Sequence, residues 1–136
     1  MQPMNLLEIH HVSLTVRDLD DALEFYTGAL RMRPRTDRPD SGVRGAWLDL
    51  GAHQVHLIEG TPPPAVGQHF AVRVDDLDAA RRRLIDRGTD VSEAVAVGSA
   101  RQAFLQDPSG NHIELHEPAP ARGPQPNTAS GQEKIP

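Results

Sequence analysis

The chain has 136 residues, of which 38% are hydrophobic, and it contains no cysteine, which excludes disulfides, thiolate ligands and a cysteine nucleophile. Its formal net charge of −5 argues against nucleic acid as a partner, because phosphate binding requires a basic surface. It shows neither a leader-like start nor an apolar run long enough to cross a bilayer, so we expect a single-domain cytoplasmic protein without a membrane partner.

Each half of the chain begins with an alternating strand that is followed by a capped helix. Apolar residues alternate with small or polar ones from His11 and again from His69, so each strand has an apolar face with its histidine on the other face. Asp18 and Asp76 are typical helix N-caps, and Gly88 is typical of a helix end. The predicted elements, in chain order, are a strand at 11–16, a helix from 19 to about 30, strands at 45–50 and 54–59, a strand at 69–74, a helix at 77–87, and strands at 101–106 and 112–117.

Proline-rich stretches divide these elements into one domain and a tail. Residues 60–67 form a stiff connector between the two halves, and residues 31–44 are too rich in Pro, Asp and Arg to assign. The chain beyond Glu117 has too few large apolar residues to offset the entropy of ordering it. We therefore predict a domain over 1–118, with module one at about 6–59 and module two at about 68–117, and a disordered tail over 119–136.

Four potential metal ligands are related by one translation along the chain. His69 lies 58 positions after His11, and Glu114 lies 58 positions after His56. Strand alternation puts all four on the face of the sheet that the helices leave free. Three imidazoles and a carboxylate at equivalent places of a repeat are typical of a nitrogen and oxygen site for one divalent ion, whether Ni, Zn, Mn, Co or Fe. We expect this site to be the functional centre.

Two further residues are candidates for a substrate pocket beside the ligands. By strand parity Trp47 faces the free side of the sheet, where an indole can form an apolar wall. Arg73 faces the same side, where a guanidinium can hold an anionic group of a small-molecule substrate. Simple packing and a surface role are the alternatives for each.

The remaining histidines divide by their position. His112 and His116 share the face of Glu114, so each is a candidate either for the pocket or for an exposed position at a sheet edge. His10 has the wrong parity and His53 lies in a predicted turn. We expect both to be ordinary surface or turn residues.

Two sequence motifs and the duplication carry a family resemblance. The segments HHVSLTVRDL at 10–19 and DPSGNHIEL at 107–115 resemble the vicinal oxygen chelate (VOC) superfamily. That group includes glyoxalase I, methylmalonyl-CoA epimerase, extradiol dioxygenases, fosfomycin-resistance enzymes and bleomycin resistance proteins. The resemblance implies an α+β fold of two repeated βαβββ modules whose curved sheets form a cleft, with metal ligands at His11, His56, His69 and Glu114.

The resemblance favours a metal-dependent lyase or isomerase of glyoxalase I type. Such an enzyme acts on a small substrate with two neighbouring oxygens through a metal-stabilised enediolate, and Glu114 and His56 are the catalytic candidates. His56 departs from the family pattern, because glyoxalase I commonly has a carboxylate there and methylmalonyl-CoA epimerase an amide. An extradiol dioxygenase using His11, His69 and Glu114 on Fe(II) is the first alternative. A non-catalytic drug-binding protein is the second.

The resemblance also bears on assembly. Relatives with this architecture are often dimers, and their metal cleft is made either within one chain or from modules of two chains. We expect a homodimer, because open edge strands invite association, while both ways of making the cleft stay open.

Overall fold

The fold consists of two modules with the same order of elements. The computed structural model describes residues 3–120, and the predicted tail lies, from residue 121 onward, outside the described residues. In module one the elements are β1 (His11–Val16), α1 (Leu19–Leu23), β2 (Arg33–Pro34), β3 (Gly45–Leu50) and β4 (His53–Glu59). In module two they are β5 (His69–Arg73), α2 (Leu77–Asp86), β6 (Val95–Val97), β7 (Ala100–Gln106) and β8 (His112–Glu117).

Each module folds into a four-stranded mixed sheet with the same strand order. The orders are β1-β4-β3-β2 and β5-β8-β7-β6. The first strand of each module runs parallel to the last, and the other neighbours are antiparallel. The predicted α+β fold of two repeated βαβββ modules is confirmed. Because β1 and β5 end their orders, each keeps one edge that is unpaired within its own sheet.

The two helices begin in the same way. Asp18 and Asp76 each accept a hydrogen bond from the N–H three residues later, at 3.1 and 3.0 Å, as predicted for N-caps. The N–H of the first helical residue is bound by a glutamate from the last strand of the same module, Glu59 at 2.9 Å and Glu117 at 2.8 Å. These glutamates are again 58 positions apart, so the repeat includes a second cap that the sequence analysis did not identify.

The first helix differs from the prediction in its second half. The α-helix covers Leu19–Leu23, and the following turn, Glu24–Ala29, is a π-helix. The hydroxyl of Thr27 donates to the carbonyl of Leu23 at 2.6 Å, so this carbonyl already has a side-chain partner. The last turn closes with a 3.1 Å bond to the carbonyl five residues back. The apolar spacing therefore predicted that residues 19 to about 30 are helical, but it did not predict that Glu24–Ala29 form a π-helix.

A buried carboxylate joins the two modules. Asp107, which is 5% exposed, accepts the hydroxyl of Tyr26 at 2.8 Å, and that ring is fully buried. Burial, followed by the charge of Asp107 and the hydrogen bond to it, raises the pKa of Tyr26 far above its ordinary value. Asn111 donates from its side-chain amide to Asp107 and to the carbonyl of Thr15 on β1, at 2.9 Å each. Around this junction the apolar residues of both modules form one core.

Turns and short strands account for the other differences from the predicted elements. β4 begins at His53, so this residue lies in a strand and not in the predicted turn. β7 begins one residue earlier than predicted, and α2 ends at Asp86, with Gly88 behind it at φ +91°. β2 and β6 were not predicted, because strands of two and three residues are too short to show alternation. None of the helices within residues 3–120 has the length and apolar character needed to span a bilayer.

Candidate metal centre

Three rings stack on the free face of the first sheet. His11 on β1 and His56 on β4 lie nearly parallel, with centroids 3.8 Å apart. Trp47 lies directly opposite His56 on β3 and stacks on it at 4.6 Å. Because β4 runs between β1 and β3, the imidazole of His56 lies between the other two rings and is only 9% exposed. Strand parity had predicted that all three share this face.

The environment of His56 favours a neutral imidazole. Burial, and then the positive groups nearby, of which His11 has the largest effect, lower the pKa of His56 below its ordinary value. Its Nε2 lies 2.8 Å from the side-chain oxygen of Gln54. Because an amide oxygen only accepts, Nε2 carries the proton, and the lone pair stays on Nδ1. A neutral ring with one free nitrogen is the form that binds metal.

The second pair of predicted ligands lies in module two. Nε2 of His69 on β5 is 3.1 Å from Oε1 of Glu114 on β8. The Nδ1–H of His69 donates to the carbonyl of Gly67 at 2.9 Å. This carbonyl, helped by the Glu114 carboxylate, raises the pKa of His69 despite partial burial. The contact to Gly67 also fixes the tautomer in which Nε2 is the nitrogen that faces the carboxylate.

A third histidine approaches the same carboxylate. Nδ1 of His116, two residues further along β8, lies 2.9 Å from Oε2 of Glu114. The side chain of Glu114 is 12% exposed, so its carboxylate lies buried between two imidazoles. Strand parity makes His116 a candidate either for a pocket position or for an exposed one. The structure puts it in direct contact with a predicted ligand.

The four predicted ligands come together as two pairs. His11 contacts His56, and His69 contacts Glu114, each within its own module. Within residues 3–120, no group of three or more His, Asp or Glu side chains is arranged to hold an ion. Within the described residues the four predicted ligands therefore form two separate pairs, one in each module.

An aromatic ring lies opposite the buried ligand candidate in both modules. Phe104 on β7 lies directly across from Glu114, as Trp47 lies across from His56. Its ring meets His69 edge-on, with the ring centroids 5.6 Å apart. The repeat of 58 did not predict Phe104, because 10 positions separate it from Glu114, whereas 9 separate Trp47 from His56. The hairpin of module two is one residue longer, which shifts the match out of the repeat of 58.

Other histidines have local contacts. Nδ1 of His10 lies 2.9 Å from Nδ1 of His11, and Nδ1 of His53 donates to the carbonyl of Ile9 at 2.7 Å. His53, predicted to be an ordinary surface or turn residue, therefore binds the segment that leads into β1, whereas His10 contacts its neighbour in the chain.

Arg73 is exposed on β5, opposite His116 in the register. It lies on the face where strand parity put it. Its predicted role toward an anionic group stays a prediction.

Comparison with known proteins gives the family. Residues 8–115 match the profile of the Glyoxalase/Bleomycin resistance protein/Dioxygenase superfamily. The chain belongs to this superfamily. Because its description spans lyases, dioxygenases and drug-binding proteins, membership alone leaves the reaction open.

The individual relatives include both a lyase and a dioxygenase. The chain is 30% identical over 125 residues to the lactoylglutathione lyase of Salmonella typhimurium, a match that covers 82% of this chain and 93% of that protein. It is also 30% identical over 131 residues to the catechol-2,3-dioxygenase of Bacillus subtilis, covering 82% of this chain and 42% of that one. A glyoxalase family protein from Bacillus anthracis superposes with a TM-score of 0.77 at 25% identity, over 85% of this chain and 98% of the other. The chain spans only 36% to 45% of the length of three further curated relatives.

The donor groups of the two pairs fit a divalent ion. Imidazole nitrogen and carboxylate oxygen are ligands for the metals that this superfamily commonly uses. Outer hydrogen bonds fix both tautomers, through Gly67 for His69 and through Gln54 for His56, as is typical of metal-binding histidines. A set of four donors requires that a pair from module one face a pair from module two.

Proposed function

We propose that the chain is a metal-dependent enzyme of glyoxalase type, a lyase or isomerase that acts on a small substrate with two neighbouring oxygens. The observation that carries this proposal is the same pairing in both modules. A histidine of the first strand contacts a buried side chain of the last strand, as His11 contacts His56 and His69 contacts Glu114. Equivalent pairs of nitrogen and oxygen donors suit one divalent ion held by four residues.

The ion is held, in this proposal, between two copies of the chain. Within the described part of one chain the pairs form no common cluster. Large apolar side chains before β1 are 69% to 88% exposed and would be covered by a partner, namely Met4, Leu6, Leu7 and Ile9. A symmetric homodimer in which module one of each copy faces module two of its partner has two complete sites.

The chemistry then divides among the side chains. The residues His11, His56, His69 and Glu114 would hold the ion, which would supply charge stabilisation to a substrate carbonyl and so make the neighbouring C–H more acidic. Glu114 removes this proton and returns it to the adjacent atom, because its carboxylate is the buried base of the site. Trp47 forms the apolar wall beside His56, and Arg73 holds an anionic group of the substrate.

Metal analysis followed by reconstitution tests the proposal. Freshly purified protein should contain about one divalent ion per chain and have the mass of a dimer by light scattering. Apoprotein loaded with Zn²⁺ or Ni²⁺ under nitrogen should convert a hemithioacetal or 2-hydroxycarbonyl substrate, because the reaction needs charge stabilisation and no electron from the metal. Protein that takes up no divalent ion would contradict the proposal.

A dioxygenase is the second candidate, and one observation favours it. Because His56 is held between two rings, the remaining residues His11, His69 and Glu114 match the two-histidine, one-carboxylate set of non-haem Fe(II) oxygenases. Turnover of a catechol that requires Fe²⁺ and consumes oxygen would favour this reading. Tight binding of a small molecule without turnover under either condition would instead indicate a drug-binding protein.

A further inference from the structure

We propose that His116 is a positioning residue, which holds the Glu114 carboxylate so that only one of its oxygens is available to the ion. The inference rests on the proposed function, because it assigns a role beside the same site. In this role His116 acts through Glu114 and is not itself a ligand. The role is separate from those of His69 and Glu114, which provide the donor atoms.

Each oxygen of the Glu114 carboxylate meets a different imidazole. Oε1 lies 3.1 Å from Nε2 of His69, and Oε2 lies 2.9 Å from Nδ1 of His116. Because an ionised carboxylate only accepts, the Nδ1–H of His116 donates to Oε2. Oε1 is the oxygen on the side of the other predicted ligand. The carboxylate would therefore use Oε1 both to bind the ion and, when the substrate displaces it, to take the proton, while Oε2 stays in its hydrogen bond.

Burial makes this hydrogen bond difficult to replace. The Glu114 side chain is 12% exposed, and Phe104 lies directly opposite it on β7. In the described part of the chain, His116 is the hydrogen-bond partner of Oε2. Without it a buried acceptor is left unsatisfied, and the carboxylate can turn away from the direction that the ion requires. A ligand that is already fixed in its binding direction loses less freedom when the ion binds.

Module one has a related contact on the other side of its buried residue. Gln54 precedes His56 by two positions and is 2.8 Å from it, whereas His116 follows Glu114 by two. The position that corresponds to Gln54 in module two is His112, 58 positions later. His112 lies on the same strand and the same face as His116, and within the described residues it makes no hydrogen bond to Glu114. It is therefore a matched control.

Calorimetric titration of the apoprotein with Zn²⁺ tests the proposal on the full chain. His116→Ala should weaken the affinity about 10- to 100-fold, the usual effect of removing a group that orients a ligand. His116→Asn should keep most of the affinity, because its side-chain amide nitrogen reaches the place of Nδ1. His112→Ala should bind as the wild type does. At saturating metal, His116→Ala should lower kcat with little change in KM, and His116→Asn should restore it.

The outcomes separate the inference from the proposed function. Wild-type affinity in His116→Ala would overturn the inference, and so would an equal loss in His112→Ala. A loss in His116→Asn as large as in His116→Ala would show that the ring itself is needed, which also contradicts a positioning role. If the wild-type apoprotein takes up no ion, the proposed function fails and the inference fails with it, a result distinct from the other three.

Discussion

Module one and module two have the same strand order and the same helix caps, yet they present different groups at the equivalent places. Module one presents two stacked imidazoles beside an indole, formed by His11, His56 and Trp47. Module two presents a carboxylate between two imidazoles, formed by Glu114 with His69 and His116. The repeated scaffold therefore determines where these side chains lie, and the residue at each equivalent place determines which groups each module presents.

The pKa values of His56 in module one and His69 in module two shift in opposite directions. Burial, followed by the charge of nearby groups, lowers the pKa of His56, so module one offers a neutral imidazole at this position. The carbonyl of Gly67, with help from Glu114, raises the pKa of His69, so module two stabilises positive charge. In the proposed site an ion would have the neutral imidazole of His56 on one side and the carboxylate of Glu114 on the other.

The largest expected effect comes from removing the negative charge of Glu114 in module two. Glu114→Gln keeps an oxygen donor but loses the base, so kcat should fall about 10²- to 10⁴-fold with little change in KM. His56→Gln in module one should weaken metal affinity instead and should recover activity at high metal concentration. Steady-state kinetics with measured metal content checks both variants. A fully active Glu114→Gln beside an inactive His56→Gln would reverse the roles assigned to the two modules.

The next effect concerns the contact that joins the modules. Tyr26→Phe removes the hydroxyl that donates to buried Asp107, so the free energy of unfolding should fall by about 1.5 to 3 kcal/mol. Urea denaturation followed by circular dichroism measures the change. An unchanged midpoint would mean that this hydrogen bond contributes nothing to the junction.

The same residue predicts an alkaline limit to stability. The pKa of Tyr26 is raised in the folded state, so its contribution to stability is fully present below about pH 10, the value for free tyrosine, and is lost at higher pH. The chain contains one tyrosine, so the absorbance of phenolate at alkaline pH reports on Tyr26 alone. Phenolate should appear only together with unfolding. A reversible rise near pH 10 in the folded protein would contradict the buried contact.

The smallest effect tests whether the two caps are equivalent. Asp18→Ala and Asp76→Ala should each lower the free energy of unfolding by about 1 kcal/mol, because each removes one side-chain acceptor from a helix N-terminus. Chemical denaturation of the two single variants compares the modules directly. A clear difference between them would show that the π-helical turn after α1 changes the importance of its cap.

Local sequence patterns predicted the side-chain faces of the strands and the starts of the helices. Strand parity put His56 and Trp47 on one face, and the side-chain chemistry of Asp18 and Asp76 marked both helix starts. The π-helical turn was not predicted, because the apolar spacing that predicts a helix over these residues does not determine which carbonyl each N–H binds.

Contacts between neighbouring strands were harder to predict. Phe104 lies out of phase with the repeat, because the hairpin of module two is one residue longer. The contact of His116 with Glu114 depends on side-chain rotamers, which alternation along a strand does not define. The four predicted ligands form two pairs and no common cluster within residues 3–120, and no local pattern in the sequence describes how the modules pack.

Mixed dimers test the shared metal centre most directly. One chain carries His11→Ala and His56→Ala, so its module one has no donors, and the other carries His69→Ala and Glu114→Ala, so its module two has none. In a site shared between copies, the intact module two of the first chain faces the intact module one of the second. The heterodimer, purified with two different tags, should therefore bind about one ion per dimer, while each homodimer binds none. A heterodimer without metal, in a preparation where the wild-type dimer is loaded, would contradict a site built from two copies.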